Sequence, residues 1–209
     1  MCYDYKSSII AWLVGSGASV YMLANPDIYY IWIPLFILTY SQIQILEAFL
    51  WKSLNDKEAN GYVTNLIPYF LLLQPLVNSY AGYKTTNENV LYYMTIMYIL
   101  LILYYAMITK QSTYQTSVNN KNEGLIWDRY DQDGNKTMLL GNGLIGILYL
   151  LGLFIPLLYI PDPTTRYTVT TFAIVTFLYS LYNYGKDLSS RWCYFVVWIA
   201  IFALIFNRK

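Results

Sequence analysis

The sequence predicts an all-α integral membrane protein: a single transmembrane domain over residues 1–209, built as a bundle of about seven transmembrane helices. Three observations predict it. Hydrophobic residues make up 57% of the chain and charged residues only 12%, where soluble domains carry roughly 25% charged residues and need them to cover a surface. Apolar runs close to the roughly 20 residues that cross a hydrocarbon core recur along the chain. Aromatic residues reach 19%, with 24 Tyr, which suits belts at the two membrane interfaces.

Taken in order, the first span is 8–23, closed by Asn25-Pro26-Asp27. It lacks a basic leader and an A-x-A site, so it is expected to remain in the mature protein. The second span, 28–51, organises the rest: it is long and apolar yet carries Gln42, Gln44, Glu47 and Trp51 before Lys52. The third, 61–82, contains Asn65, Pro68, Gln74-Pro75 and Asn78, and the fourth, 90–108, is almost purely Leu, Ile, Met and Tyr. After a polar stretch, 110–137, come spans 138–160, ended by Pro161-Asp162-Pro163, then 166–184 and 191–206.

The polar stretch reads as a structured loop. Asp133-Gly134 between two short apolar runs predicts a hairpin turn. The same residues resemble an EF-hand superficially, but that alignment puts Arg129 and Leu140 at ligand positions, so a turn is the better reading than a calcium site.

Seven spans place the amino terminus and loops 52–60, 110–137 and 185–191 on one side. That side holds nine of the thirteen Lys and Arg, from Lys6 to Arg191, against Lys84, Arg166, Arg208 and Lys209 opposite. The positive-inside rule then makes the amino terminus cytoplasmic. Cys2 and Cys193 pull the other way. Both fall at the start of a span on that side, so they are either a disulfide formed in an oxidising compartment or two unpaired interfacial thiols.

The chemistry left open is narrow. With no histidine there is no His-ligated zinc, Ser-His-Asp triad or haem histidine. Two cysteines cannot make a cysteine-only metal site, so no metal and no cofactor is expected. A net charge of +1 argues against nucleic acid. No nucleophile is paired with a base, so no enzymatic activity is expected.

Gln44, Glu47 and Trp51 stand at i, i+3 and i+7 and share one helical face. A carboxylate inside an apolar span is a functional-site hypothesis by default. Glu47 reads either as a proton or cation site, with Gln44 as neighbour and Gln42, Gln74, Asn78 or Asn183 as partners across the bundle, or as a staple between helices near Lys52. Pro75 removes a backbone donor and kinks its helix, leaving a carbonyl that Gln74 or Asn78 could satisfy, or else opening a cavity. Gly15-Ser-Gly17-Ala-Ser19 and Gly141-Asn-Gly143-Leu-Ile-Gly146 read as small-residue surfaces for close helix packing, within the chain or between copies. Arg191-Trp192 reads as an anchor at headgroup level.

Several of these pieces together resemble a family of small polytopic membrane proteins of unknown function encoded by giant DNA viruses. The matching features are Cys2, Gln44-Ile-Leu-Glu47 followed by Trp51, Gln74-Pro75, Gly124-Leu-Ile-Trp127-Asp128 and Ser190-Arg-Trp-Cys193. Ile43 stands where that pattern has Met, and Ser189-Ser-Arg-Trp-Cys193 where it has Gly-Ser-Leu-Trp-Cys. The resemblance implies a viral origin and a host or virion membrane, and nothing about mechanism.

Two functions follow as expectations. One is a non-catalytic membrane component, with the lipid bilayer and other copies of itself as partners. The other is a small proton or ion channel or carrier that uses the Glu47 face and the Gln74-Pro75 kink.

Overall fold

The computed structural model describes residues 4–119, 124–137, 139–140, 143–184 and 188–206. The chain is mostly helical, as expected. Helix α1 covers Tyr5–Ala24 and starts at a reciprocal cap: Asp4 Oδ1 accepts from the Ser7 N–H at 2.7 Å, and Ser7 Oγ accepts from the Asp4 N–H at 3.4 Å. Helix α2, Trp32–Ser53, holds Pro34 in its first turn, where no intrahelical donor is lost. It is the centre of the bundle, touching α1, α3 (Lys57–Thr86), α7 (Leu188–Val197) and α8 (Ile199–Phe206). Its buried face runs from Trp32 through Tyr40 to Leu50.

Helix α3 is capped by Asp56, whose carboxylate accepts from the Glu58 and Ala59 N–H groups, and ends on Asn87 in the left-handed conformation at φ 58°. At 30 residues it is longer than the expected third span. A helix of that length reaches about 45 Å. On its first turns sits a small sheet, strand order β1-β2-β3, made of β1 (Thr113–Val118), β2 (Leu125–Tyr130) and β3 (Lys136–Thr137). The expected hairpin is β2–β3. Arg129 pairs with Thr137 and Tyr130 with Lys136, and Gly134 supplies the φ of +77° that the turn requires. Asp131 accepts from the Asp133 and Asn135 N–H groups, so its carboxylate closes the turn.

Helix α4 is Asn89–Ile108, α5 is Gly143–Phe154 followed by a 3₁₀ turn over Pro156–Tyr159, and α6 is Pro163–Tyr184. Three of the described helices, α1, α2 and α4, are long and apolar enough to cross a membrane. The other expected spans depart for local reasons. Helix α3 opens on Lys57 and Glu58 and carries buried Asn60, Gln74 and Asn78. Helix α5 is broken where Pro156 cannot donate to the carbonyl four residues back. The last span divides at Trp198 into α7 and α8. Residues 138, 141, 142, 185–187 and 207–209, which belong to the expected fifth and seventh spans and their flanks, lie outside the described residues.

The two small-residue surfaces behave differently. A Cβ on Gly15 would strike Ser41 of α2 and come within 2.8 Å of Val197 of α7, so α1 approaches both helices there. At Gly143 and Gly146 a Cβ would meet nothing within 4 Å. The tight approach of α5 is instead at Gly152, against Tyr98 and Pro75.

Candidate buried polar site

The residues singled out from the sequence are buried together at the middle of the fold. Gln44, Glu47, Gln74 and Asn78 are fully enclosed, and Trp51 is half-buried. They fall into two groups.

The first group is built on Asn78. Its amide oxygen accepts from the Trp32 indole N–H at 2.8 Å. Its amide nitrogen donates to the Leu153 carbonyl at 3.0 Å and the Gly152 carbonyl at 3.3 Å. Gly152 is four residues before Pro156, so its carbonyl is the one that the proline leaves without an intrahelical partner. Asn78 therefore closes the broken end of α5. The sequence offers Gln74 or Asn78 for the carbonyl freed by Pro75 in their own helix, or a cavity there; the hydrogen bonds found for the two amides run across to α5, and from Trp32 to Asn78. One turn further along α3, Gly82 makes room for the Trp32 ring, to which an added Cβ would come within 2.6 Å.

The second group is built on Gln74. Tyr149 of α5 donates its hydroxyl to Gln74 Oε1 at 2.7 Å. The Cys193 thiol of α7 lies beside the Gln74 side chain and within the field of Glu47, and the Tyr40 phenol of α2 lies beside Tyr149. Helices α2, α3, α5 and α7 thus bring Cys193, Gln74, Tyr149 and Tyr40 side by side in the interior, with the fully buried Glu47 near Cys193. Gln44 and Glu47 of the Gln44/Glu47/Trp51 face are fully buried, and Trp51 is half-buried. Lys52 takes no part in this group, because its ammonium sits 4.2 Å above the Tyr5 ring at the start of α1.

Cys193 is 1% exposed and a free thiol; its expected partner, Cys2, lies outside the described residues. Arg191 and Trp192 were read as an interfacial anchor, yet both are buried within the bundle. The Arg191 guanidinium lies 5.0 Å from the Tyr184 ring centroid. Trp192 stacks on Phe154 at 5.7 Å and meets Phe177 edge-on at 4.9 Å. Nothing in the local sequence marks this arginine as buried, because its neighbours Lys186, Asp187, Ser189 and Ser190 read as a polar helix start.

A third polar contact holds the sheet. The Asn60 side chain donates to the Thr116 carbonyl at 3.1 Å and accepts from the Thr116 N–H at 2.7 Å, while the Thr64 and Thr116 hydroxyls bond at 2.7 Å. Among the described residues, no group of three His, Cys, Asp or Glu side chains is placed to hold a metal ion.

No family model, curated protein or solved structure matches the chain.

Proposed function

We propose that the chain is a polytopic integral membrane protein with a non-catalytic role, acting through contacts with lipid, with itself or with other membrane proteins. The outward face of α4 carries this reading. Tyr93, Ile96, Leu100, Leu103 and Met107 project from one helix and are each 39–69% exposed. An apolar surface of that extent on a helix of span length calls for lipid or protein around it. The interior supports the same reading, because its amides bond to freed carbonyls and to phenols on other helices, which holds helices together. Similarity to the giant-virus family would place the protein in a host or virion membrane, and the excess of Lys and Arg on one side would place the amino terminus in the cytoplasm. The experiment is alkaline carbonate extraction of membranes from expressing cells. The full chain is expected in the pellet and released by detergent alone; release by carbonate refutes membrane integration.

A second reading, a proton or cation carrier, is favoured by one observation: Glu47 and Gln74 are both fully enclosed within the bundle. Its test is proton flux in liposomes for the wild type and Glu47→Gln. Flux that disappears in the folded variant supports it, and equal flux in both refutes it.

A further inference from the structure

Four polar side chains from four helices come together inside the bundle: Tyr40 of α2, Gln74 of α3, Tyr149 of α5 and Cys193 of α7. All are buried, Tyr40 and Gln74 completely. One bond among them is made, from the Tyr149 hydroxyl to Gln74 Oε1 at 2.7 Å. Two further approaches stop short of bonding. The Tyr40 hydroxyl lies beside that of Tyr149, and the Gln74 side chain lies beside the Cys193 thiol. Yet neither Tyr40 Oη nor Gln74 Nε2 has a hydrogen-bond partner among the described residues. Asn78, one turn along α3, does not supply one, because its amide oxygen and nitrogen are bonded to Trp32, Gly152 and Leu153.

The bonding capacity left over decides what fits between them. A buried donor without an acceptor is costly and rarely tolerated. Tyr40 Oη and Gln74 Nε2 each bring a hydrogen with no acceptor. Tyr149 has committed its hydrogen to Gln74, so its oxygen keeps only accepting capacity, and a thiol sulfur is a weak acceptor. Two donors and two acceptors therefore face one another. A cation is repelled by the donors and an anion by the acceptors. Water, with two lone pairs and two hydrogens, answers all four. Polar groups that approach without bonding are commonly bridged in this way, and a buried water typically makes about three bonds, in a range of 2–4.

We propose that Tyr40, Gln74, Tyr149 and Cys193 hold one ordered water molecule between α2, α3, α5 and α7. It accepts from Tyr40 Oη and Gln74 Nε2 and donates to Tyr149 Oη and Cys193 Sγ, so a single molecule ties four helices. The buried Glu47 lies near Cys193, and the water carries the bonded interior toward that carboxylate. Such a water stands whether the chain is a membrane component or a carrier.

The test is pulsed X-ray radiolysis of the full chain in dodecyl maltoside, in which a held water releases hydroxyl radicals where it sits; oxidised tyrosines are mapped by mass spectrometry. Tyr40 and Tyr149 are expected to oxidise within several-fold of Tyr182, which is 90% exposed. Tyr98, buried with its hydroxyl on the Leu148 carbonyl at 2.6 Å, is expected to stay protected. When heavy-oxygen water is mixed in just before the pulse, Tyr182 is expected to take up the heavy isotope and the two buried rings the light one. Gln74→Leu removes one donor, and Tyr40→Phe removes the other while keeping the ring. Each is expected to lower Tyr149 oxidation several-fold and leave Tyr182 unchanged. Continued protection of Tyr98 reports an intact fold, and if Gln74→Leu exposes Tyr98, Tyr40→Phe alone decides. Tyr40 and Tyr149 as protected as Tyr98 in the wild type, Tyr149 oxidation insensitive to Tyr40→Phe, or immediate heavy-isotope uptake at the buried rings each overturns the proposal.

Discussion

Replacing Asn78 with alanine tests whether one side chain closes the broken end of α5. The substitution removes three hydrogen bonds: one from the Trp32 indole and two to the Gly152 and Leu153 carbonyls. Interhelical hydrogen bonds in membrane proteins contribute on average about 0.6 and at most about 1.7 kcal/mol each. Three of them together put the cost of Asn78→Ala at about 2 to 5 kcal/mol, read from SDS-induced unfolding in dodecyl maltoside. The sharper test is a double-mutant cycle with Pro156→Ala. Alanine at 156 restores an N–H that can bond to the Gly152 carbonyl, so Asn78 then has one fewer orphan to satisfy. Asn78→Ala is expected to cost about 1 kcal/mol less in the Pro156→Ala background, roughly one hydrogen bond. Additivity within ~0.5 kcal/mol, the behaviour of independent sites, refutes the link between the proline and the amide.

Further outcomes follow from other contacts. Gly152→Val drives side-chain atoms into Tyr98 and Pro75 and is expected to destabilise by about 1–3 kcal/mol or more. Gly17→Ala, with open space above it, is expected to be neutral or stabilising by up to about 1 kcal/mol; thermal unfolding in detergent compares the two. Asn60→Ala is expected to loosen the sheet, seen as faster hydrogen exchange at the Thr116 amide and faster proteolysis within 110–137, with the helices unaffected. The Ser7 N–H holds the Asp4 carboxyl below its usual value, and the Thr165 N–H, 2.6 Å from Asp162 Oδ2, does the same for Asp162. Because the folded values are lowered, both caps contribute fully above the unfolded carboxyl value near ~3.9. That contribution is lost as pH falls through the folded values. Exchange at the Ser7 and Thr165 amides is expected to lose protection beyond the intrinsic trend as pH falls below about 4, and Asp4→Asn and Asp162→Asn are expected to abolish that loss.

What could be read from the sequence was local. The Asp131–Asn135 turn announces itself because Asp and Gly at those positions have few other uses, and the central place of α2 follows from polar residues that no lipid-facing helix would carry. The inward turn of Gln44 and Glu47 follows from the same cost. What escaped depends on residues far apart in the chain. The partner of Asn78 is a carbonyl 74 residues away whose availability is set by Pro156, so neither motif reveals the other. The sheet's first strand hid for the same reason: Thr113–Val118 is short and polar, and it is held by Asn60 from a helix more than fifty residues upstream. Arg191 looked like an anchor because charge beside tryptophan usually marks an interface; only the packing of α7 against α2 and α6 encloses it.

That grip by Asn60 has a consequence for the exposed cap. A strand at the margin of a sheet offers unpaired peptide groups on which further strands can grow, and β1 occupies that margin. At Thr116 the carboxamide of Asn60 imitates a peptide group and takes both valences, while the Tyr114 carbonyl lies against Gly61. The sheet is finished by a side chain rather than by another strand. At Thr116 that margin is therefore closed to a strand from another copy.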